Sequence, residues 1–142
     1  MKVLFVCTGN TCRSPMAMFL FNDMAKKSNR SSLTADSAGI SAGGDPINEK
    51  AVCALEKRGI KCEGYISKRI NPELYDSSDI IVVMSEQHKQ LLEYVMGNKK
   101  KIYVLGNGIG DPYGMDQSEY DNCLNRIEEG IKQLAKEGVF GD

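Results

Sequence analysis

Val3-Leu4-Phe5-Val6-Cys7-Thr8-Gly9-Asn10-Thr11-Cys12-Arg13-Ser14-Pro15 opens the chain and decides its reading. The apolar run Val3–Val6 is a candidate buried strand. From Pro15 to Lys27 the pattern turns helical, with Met16, Leu20 and Met24 on one face. Cys7 to Ser14 therefore lies on a strand-to-helix turn, where successive N–H groups can point inward and cradle an anion. The helix that follows aims its positive end at the same spot. Pro15 suits the first helical position, which needs no N–H. Ser14 precedes a proline, is biased away from helical backbone, and is expected to be the N-cap. Gly9 is expected to take the unusual backbone angles of the turn. Arg13 offers a planar fork for two oxygens of an oxyanion. The inward N–H groups, Arg13 and the helix end all favour the thiolate of Cys7, a nucleophile in an oxyanion cradle. A Cys followed six residues later by Arg is common by chance. The coincidence of strand, Gly9, Arg13, Ser14 and Pro15 points to chemistry on a phosphoryl group.

The rest of the chain repeats the strand–helix alternation. Leu33–Ser37 reads as a weaker strand and Pro46–Arg58 as a helix stopped by Gly59. Pro72–Ser77 reads as a short helix, and Ile80–Met84 as the plainest buried strand. Ser85–Met96 reads as a helix with Ser85 as N-cap and Gly97 at its end. Ile102–Leu105 is the fourth strand, Gly106–Gly114 a glycine-rich loop, and Asp116–Lys136 the last helix. Tyr120, Leu124, Ile127, Ile131 and Leu134 recur along that helix at helical spacing. Val139–Asp142 is expected to be loosely held. The alternation predicts an α/β fold, a parallel sheet with helices on both faces. Ligands of such sheets bind beyond the carboxyl ends of the strands, where Cys7 falls.

Composition narrows the function. The 142 residues fit one domain, 1–142, and the net charge of −1 gives no electrostatic case for nucleic acid or an anionic membrane. No segment has the apolar length of a membrane span, and the start MKVLFVC is too short for a signal peptide. A cytoplasmic protein is expected. The five cysteines, at 7, 12, 53, 62 and 123, are odd in number and contain no Cys-x-x-Cys. Structural disulfides and a zinc site are not expected. Cys53 and Cys123 fall in helical patterns and read as packing residues; Cys62, in Lys61–Gly64, has no evident role. The single histidine, His88, falls at a solvent-facing kind of helical position and reads as a surface residue. No metal or cofactor is called for, since amides and Arg13 can replace the usual cation.

The stretch VCTGNTCRSPMA resembles the signature of the low-molecular-weight protein tyrosine phosphatase family. The likeness continues in Asp36-Ser37-Ala38-Gly39, in Ser78-Asp79 before Ile80–Met84, and in Asp111-Pro112-Tyr113. Length and motif order match from end to end. The resemblance implies a single three-layer domain with a four-stranded parallel sheet of order 2-1-3-4. It implies Cys7 as nucleophile forming a cysteinyl-phosphate, Arg13 as the ligand of the phosphoryl oxygens, and Asp111 as general acid and then base. Thr8, Gly9, Asn10, Thr11, Cys12, Arg13, Ser14 and Tyr113 would line the phosphate and substrate site. Asn10, Ser14 and Ser37 would brace the loop, and Ser14 would hydrogen-bond the Cys7 thiolate. Cys12 resembles the second loop cysteine of the family, which pairs with the nucleophile under oxidation. The implied partners are phosphorylated proteins, met by a monomer.

Three departures from the family pattern stand out. Tyr65 occupies the segment Gly64–Lys68, where many members carry a histidine that supports the loop asparagine. Gly114, not a large residue, follows Asp111-Pro112-Tyr113. Thr11 stands where phosphotyrosine-directed members have an aliphatic residue, and a phosphoarginine-directed branch has threonine there, although it tends to have Phe where Tyr113 stands. Phosphotyrosine and phosphoarginine both remain open from these residues. An arsenate reductase of the same fold would need further cysteines after the third strand, and none lies between Cys62 and Cys123. A non-catalytic phosphopeptide-binding module would not need Cys7, Arg13 and Asp111 together. Gly106, Gly108 and Gly110 follow the last strand rather than the first, which speaks against a nucleotide-binding turn.

Overall fold

A computed structural model describes residues 1–142 apart from Ser31, Glu63 and Asp142. Four strands are described: β1 (Lys2–Cys7), β2 (Thr34–Gly39), β3 (Ile80–Val83) and β4 (Ile102–Val104). They form one parallel sheet in the order β2-β1-β3-β4. The helices are α1 (Arg13–Lys27), α2 (Glu49–Glu56), α3 (Pro72–Ser77), α4 (Glu86–Met96) and α5 (Gln117–Lys136). No helix among the described residues is long and apolar enough to cross a membrane.

The side-chain alternation of β1 divides the core. Val3, Phe5 and Cys7 face the layer built from α1, α2 and α5, packed with Met16, Leu20, Leu55, Leu124 and Ile127. Leu4 and Val6 face the other layer, with Tyr75 of α3 and Leu92 of α4. Every residue of Val3–Val6 is fully buried, as a central parallel strand covered on both faces requires. Gly130 lets α5 approach the 3₁₀ turn Leu105–Asn107: a Cβ there would stand 2.8 Å from the Leu105 side chain.

Several boundaries differ from the sequence reading. Helix α1 starts two residues early, with Cys12 rather than Ser14 at its N-cap. Pro15 still fits, because the first four N–H groups of a helix have no partner within it. Helix α2 starts at Glu49, capped by the Asn48 side chain, while Pro46 pairs in an isolated bridge with Ile66. Strand β4 ends at Val104, and Leu105 turns into the 3₁₀ segment. Asp116 caps α5 by accepting the Glu119 N–H. The chain end is anchored rather than loose: Phe140 is buried, its ring meets Phe21 edge-on at 4.9 Å, and Arg30 donates to its carbonyl at 2.7 Å. Asp142 lies outside the described residues.

Candidate active site

The carboxyl end of β1 delivers Cys7 to the floor of a cavity of about 240 Å³. Thr8, Gly9, Asn10, Thr11, Cys12 and Arg13 line it from the loop, and Asp111 and Tyr113 from the segment after β4. The structure thus brings together every residue expected there except Ser14, which lies fully buried behind the loop. Among the described residues no side chain caps the N-terminus of α1. Its first N–H groups are left for a ligand at the cavity.

The loop is held by a directed hydrogen-bond network. The Asn10 N–H donates to Cys7 Sγ at 3.3 Å. Asn10 Nδ2 donates to Ser14 Oγ at 2.8 Å and to Ser37 Oγ at 3.0 Å. With one lone pair so occupied, the Ser14 hydroxyl is free to donate to Cys7 Sγ, 2.9 Å away. The left-handed residue of the loop is Asn10, at φ 57°, not Gly9. Asparagine tolerates this backbone and uses both ends of its amide to stay in it.

Tyr65 closes the network. Its hydroxyl donates to Asn10 Oδ1 at 2.6 Å, beside the Lys68 N–H at 2.9 Å. That leaves the Ser37 hydroxyl to donate to the Tyr65 oxygen at 2.6 Å. The Tyr65 ring meets Phe19 edge-on, and burial holds its hydroxyl above the usual tyrosine range, so it stays a protonated donor. This phenol supports the loop asparagine from the segment where many members carry a histidine. Gly39 lets β2 close on the loop: a Cβ there would stand 2.5 Å from the Thr8 carbonyl oxygen.

Arg13 is buried in the cavity wall. Its Nη1 donates to the Ile109 carbonyl at 2.9 Å, and its Nη2 lies 3.6 Å from Asp111 Oδ2. The Asp111 side chain is 53% exposed, and its Oδ1 accepts the Tyr113 N–H at 3.1 Å. An acid is thereby held at the mouth and a cation at the wall. Tyr113 is 72% exposed at the rim. Cys12 is buried beside the Tyr120 hydroxyl, at 3.6 Å, and burial raises its thiol above the ordinary range.

His88 corrects the sequence reading. It is buried, with Nε2 2.7 Å from Thr8 Oγ1 and Nδ1 2.7 Å from Ser85 Oγ. Its hydrogen-bond partner Thr8 is eighty positions away in the chain. The only local signal is Ser85 three residues earlier, and that reads equally well as an ordinary N-cap. Cys123, read as packing, is buried, and burial pushes its thiol up to about 12. Cys53 is half-buried and Cys62 is buried.

A sulfur that receives the Asn10 N–H, a buried arginine and an exposed carboxylate across one cavity make a site for phosphoryl transfer to cysteine. The comparisons agree. Residues 2–139 match the family described as low molecular weight phosphotyrosine protein phosphatase. A protein-arginine-phosphatase of Bacillus subtilis (strain 168) is 35% identical over 146 residues, covering 96% of each chain. The low molecular weight protein-tyrosine-phosphatase Ptp of Acinetobacter johnsonii is 40% identical over 141 residues, covering 95% of this chain and 96% of its own. The solved structure of a YwlE arginine phosphatase variant with a phosphorylated active-site serine superposes with a TM-score of 0.89. It is 33% identical, with 96% of this chain and 95% of that one covered. The chain belongs to this family of cysteine-dependent tyrosine and arginine protein phosphatases, which are hydrolases.

Proposed function

We propose that the cavity dephosphorylates proteins through a cysteinyl-phosphate on Cys7, with phosphoarginine as the preferred side chain. One observation carries the mechanism. Cys7 Sγ receives the Asn10 N–H and faces the Ser14 hydroxyl at the floor of a cavity walled by Arg13 and Asp111. Cys7 attacks phosphorus while Arg13 and the loop amides hold the other oxygens. Asp111 gives its proton to the leaving atom, then takes one from the water that breaks the S–P bond. Asn10, Ser14 and Ser37 keep the sulfur and the amides in register. The scheme calls on no metal or cofactor.

The substrate preference rests on the cavity lining. Its side chains include the Thr11 hydroxyl and the Asp111 carboxylate, and, among the described residues, no Val, Leu, Ile or Met. A guanidinium carries only donors and suits such acceptors. The exposed Tyr113 ring favours a second reading, phosphotyrosine stacked on that ring. Thr11→Ile removes a hydroxyl and adds apolar bulk at the rim. It should shift the ratio of specificity constants toward phosphotyrosine peptides by about ten- to thirtyfold, or roughly 1–2 kcal/mol. Both peptides assayed side by side, in wild type and variant, check this. An unchanged ratio returns the assignment to phosphotyrosine.

The proposal includes a guard on the nucleophile. Peroxide converts Cys7 to a sulfenic acid, and the Cys12 thiol displaces water from it to form a disulfide. Activity lost to peroxide should return with a thiol reductant in wild type and not in Cys12→Ser. Mass spectrometry that finds only sulfonate on Cys7, with Cys12 reduced, would refute the guard. The five cysteines are odd in number and contain no Cys-x-x-Cys, which supports a reducing, cytoplasmic setting. We place the protein there as a monomer acting on phosphorylated proteins.

A further inference from the structure

His88 is the only histidine of the chain, it is buried behind the mouth of the cavity, and the reaction scheme does not use it. The direction of the two ring hydrogen bonds depends on the tautomer. The His88 backbone N–H donates to Ser85 Oγ at 3.2 Å, which occupies one lone pair of that oxygen. The Ser85 proton can then go to His88 Nδ1, 2.7 Å away. A ring that accepts at Nδ1 carries its proton on Nε2. In that tautomer Nε2 donates to Thr8 Oγ1, 2.7 Å away. Thr8 follows Cys7, is exposed, and lines the cavity. Its oxygen then accepts from the ring, and its own proton is available to an acceptor in the cavity.

We propose that Ser85 and His88 form a fixed donor chain that presents the Thr8 hydroxyl as a hydrogen-bond donor to the bound phosphoryl group. Thr8 touches the substrate, and His88 is a positioning residue acting through it. The inference rests on the phosphoryl reading of the cavity. The surroundings keep the ring neutral. Burial disfavours its charge, Arg13 repels it, and Asp111 opposes them weakly, so that it titrates at about 4. A protonated ring would donate from both nitrogens and turn the Ser85 proton away, breaking the chain.

With one histidine present, nitrogen-15 labelling of histidine gives a spectrum that needs no assignment. At neutral pH the Nε2–H tautomer is expected, with no titration between about pH 5 and 8. Orthovanadate should move the Nε2 resonance in the wild type and leave it in place in Thr8→Val. In turnover of an aryl phosphate, Thr8→Val and His88→Asn should each raise KM roughly tenfold with kcat little changed. The double variant should be no worse than either. An Nδ1–H tautomer, a midpoint near the ordinary histidine value, or multiplying losses in the double variant would overturn the proposal. If His88→Asn fails to fold, Thr8→Val decides alone, and an unchanged KM there overturns it. Vanadate binding with no response at His88 sinks this inference only; no vanadate binding at all sinks the phosphoryl reading.

Discussion

Cys7→Ser should lower turnover of aryl phosphates and phosphopeptides by about 10⁴–10⁶-fold, with the affinity for phosphate or vanadate kept. The reasoning is local. The cradle is made by the loop backbone, the start of α1 and Arg13, and none of these needs the sulfur. The bracing runs from Asn10 to Ser14, Ser37 and Tyr65, and among the described residues only the Asn10 N–H and the Ser14 hydroxyl reach Cys7 Sγ. A serine oxygen is nearly isosteric and accepts the same two donors, so the loop should hold its shape. What is lost is the attacking thiolate, since an alcohol is a far weaker nucleophile at neutral pH. Steady-state kinetics and vanadate titration of the variant check both halves. Substantial residual turnover would refute Cys7 as nucleophile, and lost vanadate binding would mean that the sulfur holds the loop together.

The second large effect belongs to Asp111. Asp111→Asn should slow hydrolysis of an ester with a poor leaving group by about 10²–10⁴-fold, and that of nitrophenyl phosphate much less in the first step. Nitrophenolate departs as an anion without help, whereas an alkoxide, a phenolate or a guanidine needs a proton. Folding should be barely affected. The ion pair to Arg13 spans 3.6 Å with a half-exposed carboxylate, and such pairs contribute little. Arg13 also keeps its bond to the Ile109 carbonyl. A leaving-group series measured by single-turnover kinetics is the check. Equal losses along the series would make Asp111 a structural residue that only pairs with Arg13.

The contrast between what the sequence displayed and what it hid follows from range. Strand, turn and helix from Val3 to Lys27 were legible because apolar run, glycine, arginine and proline act on neighbours within a few residues. The Ser85 cap and the Gly97 stop are equally local, and both hold. The parallel sheet followed from alternation alone, while its strand order came from family likeness. The start of α1 was misplaced because proline rules describe one preferred position, and the unpartnered first turn accepts others. His88 and Phe140 were misread for a different reason. Each is held by contacts with residues far away in the chain: Thr8 for the first, Arg30 and Phe21 for the second. Tyr65 could be flagged but not resolved, since a phenol replaces an imidazole only if its oxygen reaches Asn10. That distance is fixed by the packing of the segment around residue 65 against α1.

The central claim is a covalent phosphate on Cys7, and trapping it tests the account most directly. Asp111→Asn is turned over with nitrophenyl phosphate, because the variant still loads the sulfur but loses the base that activates water for release. The reaction is quenched in denaturant within a turnover, and the digested peptides are weighed by mass spectrometry. The account predicts phosphate on the peptide that carries Cys7, bound through sulfur and absent from Cys7→Ala treated alike. No enzyme-bound phosphate, or phosphate on a peptide without Cys7, would contradict it.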